Sequence, residues 1–473
     1  MFDYQKLINN QVLIFTLGGV LPAVLNFLFL PIYSLILNPE DFGLFSYSMS
    51  FQSILIVLSS LSLNTFLLRK YFDFTDSKDK NKLISSVFFF LLLFNLLLLL
   101  LLINIFPILL PLINSSVDYY PYFFLMIIGL FFEFFFIFPM IIFRVEKLAK
   151  FYVLFSVLKQ IITFILSFTL IMQLDIGILG RFIGVVIANA IFAFISFIVL
   201  YKRISFRYEK EIITEGLRFS APLIPAALIG SIYVALDKIL LINYLTLSEL
   251  GLYTLAASLA SVVNFFSLGY YRAVETVIFE SYGSDIFEEK VHKINKFQLI
   301  ILFWFGLMFS LFSAEILFYF FDKGFYQSYV YIPFFIAALL INGQKRIFGT
   351  VLHANKVTKF DFPLMLLTFL SYITLFYLLV PHYEIYAALY ALIITSLLSL
   401  ICTLFLVSKY YSIKSLLDLT FSFLIILALV NFFIQEELFL DYKHIILIKI
   451  TILIVSSVFM YFYIRNNNDL LPD

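Results

Sequence analysis

Nine charged residues stand inside otherwise apolar stretches of this chain: the acids Glu133, Asp237, Glu275 and Glu315, and the bases Lys159, Lys238, Arg272, Lys345 and Arg346. Charge in hydrocarbon is costly, so such residues mark by default an ion path, a proton relay or a contact with a charged substrate. The inventory leans basic, which favours an anionic ligand. An arginine presents a planar fork that suits a pair of phosphate oxygens, whereas a lysine acts as a point charge. Glu133, in the middle of GLFFEFFFIF, has no base near it in sequence. A base on a neighbouring helix is its expected partner, and proton coupling is the other role open to it. Glu275 follows Arg272 by one helical turn, so an i,i+3 pair is available to neutralise the arginine without any ligand. In VALDKILL (234–241) consecutive helical residues point about 100° apart, so Asp237 and Lys238 are each expected to need another partner.

Other kinds of chemistry are missing from the pattern. His292, His353, His382 and His444 are far apart in sequence and show no metal-ligand spacing. The single cysteine, Cys402, excludes an internal disulfide. There is no GxxxxGK[ST] phosphate loop, so no ATPase of the chain's own is expected. Neither a metal nor a cofactor is expected, and a net charge of +1 gives no sign of nucleic-acid binding.

The elements that position these charges must be membrane helices. Of 473 residues, 63% are hydrophobic and 13% charged, against about one quarter charged in a soluble domain. Apolar runs of about twenty residues, long enough to cross hydrocarbon, recur along the chain. A barrel would show alternating strands of about ten residues instead. The expected fold is all-α and polytopic, with about fourteen spans. They fall near 11–36, 41–68, 82–107, 121–143, 150–173, 178–201, 214–243, 247–279, 295–320, 328–352, 361–380, 384–407, 415–434 and 443–464. MFDYQKLINN lacks a basic n-region, so a cleaved signal is not expected.

Lysine and arginine set the orientation. One set of alternate connections carries RKYFDFTDSKDKNK (69–82), RVEKLAK (144–150), YKRISFRYEK (201–210), EEKVHKINK (288–296) and KVTK (356–359). The opposite set, LNPED (37–41), SSVDYYPY (115–122), INYLTLSEL (242–250) and PHYE (381–384), carries almost none; that side holds only Arg181, Lys323 and Lys443. Both termini are therefore expected in the cytoplasm. The tyrosines of DYYPY (118–122) and GYY (269–271) read as interfacial anchors.

The chain also repeats itself. LNPEDFGLFSYS (37–48) matches LTLSELGLYTLA (245–256), with Gly43 on Gly251 at an offset of 208, and KLAKF (147–151) matches KVTKF (356–360) at 209. The offset equals six spans, which predicts two parallel-topology lobes, 1–205 and 206–410, with 411–473 as two added helices.

Two six-helix lobes, PIYSLILNPEDFGLFSYS after the first span and EGLRFSAPLIPAALIGSIYVALDKILLINYLTLSELGLYTLA (215–256) resemble the polysaccharide flippases of the multidrug/oligosaccharidyl-lipid/polysaccharide (MOP) exporter superfamily. The two C-terminal helices resemble its O-antigen (Wzx-type) branch. The resemblance implies a secondary transporter in the bacterial inner membrane. It would flip an undecaprenyl-pyrophosphate-linked O-antigen or capsule repeat unit to the outer leaflet by alternating access. It also implies membrane lipids, a polysaccharide polymerase and chain-length machinery as partners. The pyrophosphate would need cations in the cavity. Lys159, Arg272, Lys345 and Arg346 all fall in the inner half of the membrane, Lys159 about 13 Å from the inner end of its span at 1.5 Å per residue. Asp237 and Lys238 lie in the outer third, where they are expected to form a gate ion pair with the other lobe.

Two other activities fit the same resemblance. A multidrug (MATE-type) antiporter would line its cavity with carboxylates for organic cations; a lipid II flippase would differ only in substrate. A membrane glycosyltransferase or polymerase is the reading from a different class. Glu40–Asp41 resembles the acidic pair that metal-dependent glycosyltransferases place in their first outer loop. Here the outer connections are too short to hold an acceptor, and a carboxylate at a helix start needs no further reason. An enzyme is not expected.

Overall fold

The computed structural model of the protein describes residues 2–114, 117–204, 208–410, 449–454 and 456–458, the side chains of residues 2–17 and of Ala273 apart. In chain order the helices are α1 (Phe2–Ser34), α2 (Pro39–Ser60), α3 (Leu63–Lys70), α4 (Ser77–Ile113), α5 (Tyr122–Val145), α6 (Ala149–Leu174), α7 (Ile178–Leu200) and α8 (Lys210–Ser220). They continue as α9 (Leu223–Leu241), α10 (Leu247–Ser281), α11 (Phe287–Leu311), α12 (Ser313–Phe320), α13 (Ile332–Ala354), α14 (Asp361–Tyr383) and α15 (Ile385–Val407). A further helical piece covers Lys449–Val458. No strand occurs among the described residues.

Ten of these helices are long and apolar enough to cross a membrane. The number is eleven when the bent pair Lys323–Val330 and Ile332–Ala354, angled at 46°, counts as one span. Each of the first twelve expected spans has a helical counterpart; the thirteenth, 415–434, lies outside the described residues, as does most of the fourteenth. Two spans of the first half of the chain are broken. The second stops at Leu61 and Ser62, whose φ angles of 46° and 54° place both in left-handed backbone, and restarts as α3. The seventh stops at Ser220 and resumes at Leu223. Pro222 lacks an N–H and its ring crowds the carbonyl four residues earlier, which favours an interruption there.

The chain divides into two compact units, Met1–Gly251 and Leu252–Asp473. In the first, α5 packs on α7, α6 on α7 and α1, and α2 on α9. Helices approach closely where side chains are small, which is how packing is won in lipid, where van der Waals contact replaces water exclusion. A Cβ at Gly184 would lie 2.5 Å from the Ser167 hydroxyl, and Asn189 Nδ2 donates to the Gly129 carbonyl at 3.0 Å. Gly216 likewise admits the Phe66 and Leu63 side chains, so α8 lies on α3, with Lys70 Nζ 2.7 Å from Glu215 Oε1. Consequently α8 and α9, assigned by the repeat to the second lobe, pack within the unit that ends at Gly251.

At the Lys/Arg-rich end of this unit the Arg203 fork grips Glu146, which also accepts from the Tyr71 hydroxyl at 3.1 Å. Burial raises the Glu146 carboxyl, but the guanidinium outweighs it and holds the group below the usual carboxylate range.

In the second unit α13 packs on α15 and α11, and α14 on α15, around Ile278, Phe287, Ile341, Phe348, Val351 and Leu400. The piece 449–458 docks antiparallel to α11 and α12. Lys449 Nζ lies 2.8 Å from Glu315 Oε1, and Trp304 Nε1 donates to Ser457 Oγ at 3.0 Å, with Ile452 against Leu307 and Leu311.

Candidate functional site

The repeat is visible in atoms at the Lys/Arg-poor ends of α2 and α10. Asn38 Oδ1 accepts from the Asp41 N–H at 2.9 Å, while Asp41 Oδ2 accepts from the Asn38 N–H at 3.1 Å. The positions 208 residues on do the same: Glu249 Oε2 accepts from the Thr246 N–H at 2.8 Å, and Thr246 Oγ1 accepts from the Glu249 N–H at 3.3 Å. Both are reciprocal capping boxes that satisfy N–H groups a helix start leaves free. Asp41 is thus engaged in a cap. Gly43 and Gly251, one turn further in, bring the two helix starts against each other.

Every intramembrane acid singled out from the sequence has a partner. Glu133 Oε1 lies 2.6 Å from Lys159 Nζ on the neighbouring helix, and that ammonium also sits 4.2 Å from the Phe136 ring centroid. Glu315 is answered by Lys449. Asp237 Oδ1 lies 3.6 Å from Lys238 Nζ and accepts the Lys238 N–H at 2.8 Å. A flexible four-carbon stem lets the ammonium curl back toward Asp237 across the 100° or so that separates consecutive residues. Glu275 Oε1 accepts from the Tyr271 hydroxyl at 2.8 Å.

The remaining bases are different. Arg272 is exposed and forms no ion pair with Glu275; among the described residues it has no carboxylate partner. Lys345 is half-buried and likewise forms no ion pair there. Arg346 donates from Nη2 to Asn264 Oδ1 at 3.2 Å and lies 5.8 Å from the Tyr271 ring centroid, while its Nη1 is buried with no partner. The structure therefore brings Arg346, Tyr271 and Glu275 together, sets Lys159 with Glu133 in the other unit, and leaves Lys345 and Arg272 outside both groups.

Asn264 and Ser267 escaped the sequence reading, and Tyr271 entered it only as an anchor. Their signal is a polar stripe on α10, Asn264, Ser267, Tyr271 and Glu275, at three- to four-residue spacing. It meets α11 where Gln298 Nε2 donates to Ser267 at 3.2 Å, and α13 at Arg346 and Thr350. Tyr270 and Tyr271 both make hydrogen bonds inside the unit. Tyr270 donates to the Ile294 carbonyl at 3.1 Å, and Tyr271 contacts Glu275 and Thr350. Among the described residues no cluster of His, Cys, Asp or Glu could hold a metal.

The described residues thus form a multi-pass helical chain with paired, repeat-related helix starts. Residues 8–275 match the family of the description "Polysaccharide biosynthesis protein", and the chain belongs to that family. No curated protein matches it by sequence. Among solved structures it is similar to the lipid II flippase MurJ in an inward closed conformation. The TM-score is 0.71 and the identity 17%, over 96% of this chain and 99% of that one. It is also similar to an inward-facing multidrug resistance MATE family transporter of the MOP superfamily, with TM-score 0.66, 15% identity, 84% of this chain and 98% of that one. An outward-facing conformation of a multidrug resistance MATE family transporter of the same superfamily matches at 0.57 and 16%, over 84% and 95%. At these identities the likeness establishes the fold, which is that of the MOP exporters.

Proposed function

We propose that this MOP-type transporter flips an undecaprenyl-pyrophosphate-linked oligosaccharide, an O-antigen or capsule repeat unit, from the inner to the outer leaflet of the bacterial inner membrane by alternating access. Its termini would lie in the cytoplasm. The observation that carries this reading is the division of charge. Glu133, Asp237 and Glu315 each face a lysine ammonium and Glu275 accepts from the Tyr271 hydroxyl, whereas Arg272, Lys345 and Arg346 form no ion pair among the described residues. An organic cation would need a free carboxylate; a pyrophosphate needs free cations. Membership of a polysaccharide biosynthesis family supports the same substrate class.

On this reading Arg346 is the principal pyrophosphate contact, since its buried Nη1 is the donor left to a ligand. Arg272 and Lys345 add charge at similar depth. The pairing of Lys159 with Glu133 makes it a helix–helix tie before it is a ligand contact. A polymerase and chain-length machinery would take up the product.

Loss of the protein should cause a lipid-linked oligosaccharide to accumulate on the cytoplasmic face of intact cells. A change confined to sensitivity toward cationic dyes would instead identify an antiporter.

A further inference from the structure

Arg181 is a cation of the first unit set among aromatic rings. It stands one turn into α7, at the Lys/Arg-poor end of the helices. Its Cζ lies 3.8 Å from the ring centroid of Phe45, 4.3 Å from that of Tyr33 and 5.5 Å from that of Phe42. Tyr33 and Phe42 are buried. Among the described residues the guanidinium forms neither a hydrogen bond nor an ion pair. Glu40 and Asp175 are exposed at this end, and Asp41, held in its cap with Asn38, lies near enough to act on Arg181 through its charge without a hydrogen bond or ion pair to it.

Rings compensate a guanidinium through its charge and its flat faces. They do nothing for its five N–H donors, which lie in the plane and require acceptors at its edge. Phe45, Tyr33 and Phe42 therefore surround the guanidinium while accepting no hydrogen bond from it. Two or more oxygens on one centre, arranged as in a phosphate, complement such an edge. We propose that Arg181 is the core of a phosphate-binding site at the Lys/Arg-poor end, caged in aromatic rings and distinct from Arg346. Its ligand is either the phosphodiester of a lipid headgroup or the pyrophosphate of the translocated lipid on its arrival. The assignment of this end to the outer leaflet rests on the orientation proposed above; the phosphate chemistry does not.

Trp304 is the only tryptophan, which permits a local reporter. In full-length Trp304→Phe, Phe45→Trp protein in phosphatidylcholine nanodiscs, the new indole lies against Arg181 and keeps the cation–π contact. Titration with phosphatidylglycerol or with undecaprenyl pyrophosphate should give a saturable change in its emission. Arg181→Met should abolish the change, and Arg181→Lys should weaken binding by about tenfold, the charge returning without the fork. A response to phosphatidylglycerol alone would identify the headgroup as the ligand; a response to the pyrophosphate lipid alone would identify the arriving substrate. An unchanged response in Arg181→Met overturns the site, as does no response in the parent protein. So does a loss of thermal stability in pure phosphatidylcholine that Arg181→Lys repairs together with full binding, because the arginine would then be only a staple between α7 and α2. A flippase inactive for other reasons would leave this titration unaltered.

Discussion

Gly43 and Gly251 meet across a local two-fold relationship. A Cβ built on Gly43 would lie 1.9 Å from the carbonyl oxygen of Leu247, and one built on Gly251 would lie 1.8 Å from that of Pro39. Pro39 and Leu247 are themselves 208 residues apart, as the glycines are. Each half of the repeat thus offers the same glycine to the same carbonyl of the other, between helix starts fixed by matching caps. No side chain fits in this contact, so it holds only while both positions are glycine.

Gly43→Ala or Gly251→Ala should therefore force the starts of α2 and α10 apart. Overpacking of this kind costs about 1–3 kcal/mol. A cysteine at Ser248, in a Cys402→Ala background, should gain reactivity toward an impermeant thiol reagent in either variant. Wild-type melting and labelling in both would mean that the contact is not maintained in the membrane.

The pairing of Lys159 with Glu133 separates two roles for the lysine. Lys159→Met alone leaves a carboxylate without its cation, and breaking a buried pair from one side costs about 3–5 kcal/mol. The side chains are 14% and 21% exposed, so the lower end applies. Lys159→Met with Glu133→Gln should recover most of the lost melting temperature. If the recovered double variant still exports glycan, Lys159 is a structural tie; if it is stable and inactive, the pair serves transport directly.

Arg272 and Glu275 should behave independently, because Glu275 is bonded to Tyr271 instead. Arg272→Ala should reduce glycan export severalfold while the protein remains inserted and abundant. Adding Glu275→Ala should not restore export. Restoration by the double variant would show that the two form a pair in the working protein.

Much of the fold was readable in advance because hydropathy is a property of single segments. The repeat was readable because LNPED and LTLSE encode caps, whose residues act within one turn. The break at Leu61 and Ser62 was not, since neither is a glycine or proline and the left-handed backbone is imposed by packing. Partners were legible only in part. That Glu133 needs a base followed from its burial in an apolar run, but choosing Lys159 needs the α5–α6 contact. The polar stripe through Asn264 and Tyr271 was hidden by weighing charged residues alone. The 3.6 Å approach of Lys238 to Asp237 was not legible because it depends on how the lysine stem bends.

The central claim, that free intramembrane cations receive a pyrophosphate, is tested most directly by reconstitution. Purified protein in liposomes should accelerate the appearance of an undecaprenyl-pyrophosphate-linked oligosaccharide in the opposite leaflet, read by its exposure to an added glycosidase. Arg346→Ala should slow this at least about tenfold, equivalent to some 1.4 kcal/mol, without a matching fall in melting temperature. Arg346→Lys should lie between the two. Wild-type flipping by Arg346→Ala, or liposomes that move a cationic dye but not the oligosaccharide lipid, would contradict the account.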